Sequence, residues 1–125
     1  MLKTLHPHFV LELCGHITTR RILSFTGDTV ELQCRTDHFG SIYWTDASGT
    51  TLPTTEKDVI PGYPRLSLNV STQGQFDLLI NSSQLDDAGR YTCIVYWYED
   101  IVTELTLISK LFYNIYNDML LREFI

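Results

Sequence analysis

Asp87-Ala88-Gly89-Arg90-Tyr91-Thr92-Cys93 is the stretch on which the reading of this sequence turns. It leads into Ile94-Val95, and Tyr91, Cys93 and Val95 alternate in the manner of a half-buried strand. Working back towards the N-terminus, Cys34 and Trp44 stand ten residues apart, and the two cysteines are separated by 93 − 34 = 59 positions.

The intervening chain carries the same period. Val30, Leu32 and Cys34 fall on one side of a strand, with Thr29, Glu31 and Gln33 on the other. Ser41 to Ala47 reads as a strand with Ile42 and Trp44 on one face. Leu66, Leu68 and Val70 alternate. So do Phe76, Leu78 and Ile80, which leaves Gln75, Asp77 and Leu79 outside. Val102 to Ile108 is the last strand, with Leu105 and Leu107 as core candidates. Residues 49 to 64 hold Pro53, Pro61, Gly62 and Pro64, so short edge strands and irregular chain are expected there. About seven short strands punctuated by turns, with no helix-period stretch between them, predict an all-β sandwich or barrel.

The ordered set Cys34, Trp44 and Asp87-Ala88-Gly89-Arg90-Tyr91-Thr92-Cys93 resembles the immunoglobulin superfamily over about residues 20–109. The resemblance implies a two-sheet Greek-key β-sandwich. It implies a Cys34–Cys93 disulfide between the sheets, which in the contested chain-entropy picture is worth about 4 kcal/mol. It also implies Trp44 packed on that bridge, a tyrosine corner at Tyr91 and Leu85 capping the core ahead of it. Arg65-Leu66-Ser67 resembles the start of the family's fourth strand in variable and intermediate types, where an Arg pairs with the residue matched by Asp87. The long Pro-rich middle suits a variable type, and the short cysteine separation an intermediate one. The final Val102-Thr103-Glu104-Leu105-Thr106-Leu107 resembles the family's terminal strand but lacks the Phe-Gly-x-Gly of antigen receptors. That departure weighs against receptor-style pairing.

Composition bounds the function. The 125 residues are 44% apolar and 19% charged, as in an ordinary globular domain. A net charge of −6 with nine scattered basic residues excludes a nucleic-acid partner of the usual electrostatic kind. Two sequons, Asn69-Val70-Ser71 and Asn81-Ser82-Ser83, make Asn69 and Asn81 glycosylation candidates. With the cysteine pair they point to a secreted or cell-surface setting. Met1 to Gly15 is a poor signal peptide, because Glu12, His6 and His8 interrupt its apolar character. Residues 1–19 are therefore read as a leader or non-domain segment. No run approaches the ~20 apolar residues of a membrane span, and membrane association through this chain is not expected.

Tyr96-Trp97-Tyr98-Glu99-Asp100 falls where the family makes ligand contacts, and Tyr96, Tyr98, Glu99 and Asp100 are the binding candidates. By alternation from Val95, Trp97 is expected to point inward and the two tyrosines outward. The carboxylates would favour a basic partner. The resemblance adds the front sheet, bearing Trp44 and Cys93, as a route to homodimerisation. His6, His8, His16 and His38 are read as solvated rather than metal-binding, and neither metal nor cofactor is implied. Asp86-Asp87 and Glu99-Asp100 are sequence neighbours rather than carboxylates facing each other across a cleft, and no nucleophile or phosphate-loop motif occurs, so no enzyme is expected. Cys14 is read as a free thiol outside the domain. Residues 110–125 place Leu111, Phe112, Ile115, Tyr116, Met119 and Leu120 at helical spacing. An amphipathic helix for a partner or a membrane surface and an unrelated tail are both open there.

The leading function is an extracellular recognition or adhesion module for a protein or glycan ligand, of immune type among other options. The alternative is a structural intracellular domain of a scaffold. Non-reducing peptide mapping checks the pairing beneath both: a Cys34–Cys93 crosslinked peptide is expected, and one joining Cys14 to Cys93 would defeat it.

Overall fold

The computed structural model describes residues 16–37, 41–53, 60–71 and 74–123. Cys14, His6, His8, His38 and part of the Pro-rich middle lie outside the described residues. Seven strands are present among those described: β1 (His16–Phe25), β2 (Val30–Leu32), β3 (Ile42–Thr45), β4 (Leu66–Ser71), β5 (Gln75–Ile80), β6 (Gly89–Val95) and β7 (Glu99–Ile108). A single 3-10 turn, Leu85–Asp87, precedes β6, and helix α1 (Lys110–Glu123) follows β7. One sheet runs β1-β7-β6-β3 and the other β2-β5-β4. The chain is therefore an all-β sandwich with an appended helix.

The alternating residues meet between the sheets. Val30, Leu32, Leu68, Leu78, Ile80, Val95, Leu105 and Leu107 are all buried. Trp44 is fully buried and lies opposite Cys93 in the β3–β6 register. Its indole Nε1 donates to the Phe76 carbonyl at 2.8 Å, which crosses from one sheet to the other and satisfies the one polar atom of the ring. Cys34 and Cys93 are joined with their Cα atoms 6.3 Å apart, inside the range a disulfide spans.

β1 was not expected as a strand. Its inward positions, Thr18, Arg20, Ile22 and Ser24, stand beside Ile101, Thr103, Leu105 and Leu107 of β7. Most of them are polar, so no apolar alternation marks the strand. It exists because it pairs in parallel with β7 along its whole length, from His16 opposite Glu99 to Phe25 opposite Ile108. The sheet thus reaches back to His16, ahead of the boundary expected at residue 20.

Two side-chain expectations are corrected. Asp77, expected outside, is fully buried. The β2–β5 ladder stops after Leu32 opposite Leu78, and the Asp77 carboxylate fills the gap. Its Oδ1 accepts the Cys34 N–H at 2.8 Å, and its Oδ2 accepts from Gln75 Nε2 at 2.8 Å and Arg35 Nη2 at 3.1 Å. A buried carboxylate is tolerated because donors surround it. Leu85, expected in the core, is 54% exposed. It lies in the 3-10 turn, where the chain runs over the surface. Ser83 is the buried residue there, and its hydroxyl donates to the Phe25 carbonyl at 3.1 Å.

The turn is held from beneath. Arg65 meets Asp87 through two bonds, Nη1 to Oδ2 at 2.6 Å and Nη2 to Oδ1 at 2.8 Å. Asp87 Oδ2 also accepts the Gln84 N–H at 2.8 Å, and the Asp87 carbonyl accepts the Tyr91 hydroxyl at 2.7 Å. The Arg65 hydrogen bonds, with help from the Gln84 N–H, hold the Asp87 carboxyl below its ordinary range. Burial, reinforced by Asp87, pushes the Tyr91 hydroxyl up to about 12. Tyr91 therefore stays a donor at any physiological pH.

Replacing Asp87 by Ala is expected to lower stability at neutral pH by about 1–3 kcal/mol, since it strips a charged acceptor from three donors. Because the folded-state pKa is depressed, this contribution is fully present above the ordinary carboxylate range and is lost as pH falls through the folded value. Urea unfolding of both proteins from neutral pH into acid should show the difference shrinking.

Candidate recognition surface

Val95 stands opposite Glu99 across the β6–β7 ladder, so only Tyr96, Trp97 and Tyr98 form the connection. The Tyr98 N–H closes the turn on the Val95 carbonyl at 2.9 Å. The Tyr96 N–H reaches the Ser41 carbonyl, just ahead of β3, at 3.0 Å. The hairpin tip is thereby tied to the neighbouring strand as well as to itself.

Trp97 takes a φ of 72°. That left-handed conformation ends the strand alternation and turns the indole into solvent, where it is 84% exposed. The inward orientation expected for Trp97 is therefore wrong, because alternation holds only while the chain stays extended. Tyr96 and Tyr98 point outward as expected and are both exposed. The Tyr96 and Trp97 rings meet edge to face with centroids 4.9 Å apart. The tip presents three aromatic side chains on a backbone fixed by two hydrogen bonds. Rigid aromatics in this arrangement lose little entropy on contact.

The carboxylates do not join them. Glu99 and Asp100 belong to β7, not to a loop, and as successive strand residues they lie on opposite faces. Glu99 lines a cleft of about 240 Å³ with Thr18, Arg20, Gln33, Arg35 and Ile101 at the open side of the sandwich. Arg20 reaches across that side and donates to the Gln33 carbonyl. Glu99 thus shares this cleft with Arg20 and Arg35 of its own chain, and an acidic loop aimed at a basic partner is not what the fold builds.

Below the tip, the outer face of the four-stranded sheet is polar at one edge. Glu104 accepts from Arg90 at 3.3 Å and from Arg21 at 3.4 Å. These bonds, Arg90 first, hold the Glu104 carboxyl below its ordinary range. Tyr43, Ile94 and Val102 on the same sheet are half-buried. Among the described residues no group of His, Cys, Asp or Glu could hold a metal ion.

Helix α1 is a separate apolar surface. Lys110 anchors its start, the N–H to Thr26 Oγ1 at 3.1 Å and the Nζ to Asp28 at 3.0 Å, and the Tyr113 ring lies 4.6 Å from that of Phe25. Beyond this, Leu111, Phe112, Ile115, Tyr116, Met119 and Leu121 are exposed. The helical spacing read from the sequence is real, but the sandwich does not cover it. No helix among the described residues is long and apolar enough to cross a membrane.

A bulky residue in the left-handed region costs about 1–2 kcal/mol, and a glycine there gives back part of this through its greater freedom when unfolded. Trp97→Gly is therefore expected to raise stability by about 0.5–1 kcal/mol in chemical unfolding while removing the most exposed ring of the tip. A loss of stability would show that Trp97 packs against something that holds the fold.

The arrangement has clear counterparts. The first immunoglobulin domain of mouse SynCAM 2 superposes with a TM-score of 0.60 at 21% identity, covering 72% of this chain and 92% of that one. The first such domain of Dpr11, solved bound to DIP-gamma, gives 0.60 at 24%, covering 70% and 97%. The ZIG-8 IG1 homodimer gives 0.57 at 18%, covering 75% and 81%. Likeness at these identities speaks to the fold alone. No curated protein matches the sequence. The family pattern for the immunoglobulin domain does match, over residues 22–96, which takes in the bridged cysteines, Trp44 and the Asp87–Tyr91 corner. With the sandwich, the disulfide and the corner all in place, the chain belongs to the immunoglobulin domain family.

Proposed function

We propose that this domain is an extracellular recognition module that binds a protein partner through the β6–β7 tip, with no catalytic step of its own. The observation that carries the reading is the Tyr96-Trp97-Tyr98 turn, which holds a tryptophan in a strained conformation and in solvent. Strain of that kind persists where it serves a site. An exposed aromatic cluster on a rigid hairpin is what contact hot spots are made of. The closed Cys34–Cys93 bridge suits an oxidising compartment. Dpr11 IG1, a domain of the same fold, has been solved with a protein partner, which supports a protein ligand ahead of a glycan.

Self-association through the four-stranded sheet is the second reading. It is favoured by the ZIG-8 IG1 homodimer and by the half-buried apolar residues Ile94 and Val102 on that face. The intracellular structural alternative draws on the I9–I11 tandem of titin, which superposes with a TM-score of 0.57 at 16% identity. A bridged cysteine pair in protein taken from its own cells would separate the extracellular readings from that one.

The test is a binding screen of the full chain against a panel of cell-surface ectodomains, itself included. The Tyr96→Ala, Tyr98→Ala double variant should fold as the parent does and lose about 1–4 kcal/mol of affinity for any partner found. Unchanged affinity moves the site off the tip. A dimer that survives the double substitution assigns it to the sheet.

A further inference from the structure

The two sequons share one side of the molecule. Asn69 lies mid-strand on β4 and is exposed, paired in register with Asp77 of β5. Asn81 follows β5 directly and is also exposed. Its Oδ1 accepts from Thr29 Oγ1 at 3.4 Å, a contact that does not use the carboxamide nitrogen. Asn69 thus lies in the three-stranded sheet and Asn81 directly beyond the end of its central strand, and among the described residues the strands of the other sheet bear no Asn.

β4 is also the end strand of that sheet, and among the described residues it pairs with β5 alone. It is six residues long, Leu66-Ser67-Leu68-Asn69-Val70-Ser71, with Val70 49% exposed and no charge anywhere in it. An uncharged edge strand with exposed apolar character is a template for edge-to-edge pairing between molecules. Two of the other end strands carry charge, Arg20 and Arg21 in β1 and Glu31 in β2, while β3 is met along its outer side by Thr51 and Leu52. β4 has no such device among its side chains, but it has an acceptor for a bulky hydrophilic group at its centre.

We infer that Asn69 and Asn81 carry N-linked glycans, and that the glycan on Asn69 is the guard of the β4 edge. This rests on the extracellular reading above. The sugar comes from a lipid-diphosphate-linked oligosaccharide. The bond from its anomeric carbon to the phosphate oxygen breaks, and the electron pair leaves on the diphosphate. A bond forms from that carbon to the Asn Nδ2, which gives up one proton. Ser71 and Ser83 supply the hydroxyl each sequon requires. The product leaves the Cys34–Cys93 core untouched, because both acceptors are on the surface.

The experiment uses the full chain, secreted from glycosylating cells behind a supplied leader, with an additional reporter sequon on a tag. Intact mass should show glycans at Asn69 and Asn81. Asn69→Gln and Asn81→Gln should each lose one. In concentrated solution, Asn69→Gln and enzymatically deglycosylated protein should aggregate several-fold faster by light scattering, and Asn81→Gln at the parent rate. A bare Asn69 beside a filled reporter overturns the site. Equal aggregation by Asn69→Gln and Asn81→Gln overturns the guard. Protein recovered from its own cells keeps the two levels apart. Closed cysteines without sugar reject the glycan alone, whereas reduced cysteines without sugar reject the extracellular reading beneath it.

Discussion

Two sheets of a sandwich have no backbone bonds between them, so something must fix their distance and their relative position. Here one column of atoms does so at the centre, and Arg20 adds a link at the open side through the Gln33 carbonyl. Cys93 bridges to Cys34, and Trp44, its neighbour across the β3–β6 ladder, donates its indole hydrogen to Phe76 in the opposite sheet. The disulfide limits separation, and the hydrogen bond limits sliding. The rest of the core packs around a spacing those two contacts have set. The β6–β7 hairpin leaves directly from Cys93, so the aromatic tip inherits its position from this column.

Two carboxylates extend the same logic to the backbone. Asp77 stands in where a ladder lapses beside Cys34, and Asp87 gathers Arg65 and the Gln84 N–H around the approach to β6. Each is a side chain acting as the partner that the main chain lacks at that point. Gly74 shows how tightly the first of these regions closes. A β-carbon there would come within 1.8 Å of the Thr36 carbonyl oxygen, at a φ of +84°. Gly74 itself leaves no room for a side chain against the Thr36 backbone.

The core was legible because its signal is periodic. Val30, Leu32, Leu78, Tyr91 and Leu105 alternate with polar residues, and the pattern says which way each faces without knowledge of the partner strand. β1 was not legible because its reason for being a strand lies in β7, and its inward residues seal an edge rather than fill a centre. Asp77 misled because alternation describes an uninterrupted ladder, whereas here the ladder is interrupted. Trp97 misled for the related reason that one left-handed residue resets the phase. The tip's three aromatics could be read from sequence as a cluster. That Glu99 and Asp100 belong to the strand depended on a turn only three residues long, which composition does not reveal. The spacing of α1 was visible too, but spacing carries no information about whether anything covers a helix.

The parallel pairing of β1 with β7 has a mechanical consequence. His16 and Ile108 lie at opposite ends of the paired region, with ten residues of each strand aligned between them. Tension that enters ahead of His16 and leaves after Ile108 pulls the two strands lengthwise past each other. The inter-strand bonds then carry the load together and must fail together. An antiparallel hairpin such as β6–β7, pulled at its open end, gives way one bond at a time. Strung in a longer polypeptide or held between two surfaces, this domain would resist stretching along its own axis, and the segment after Ile108, beginning with α1, would feel the force before the sandwich yields.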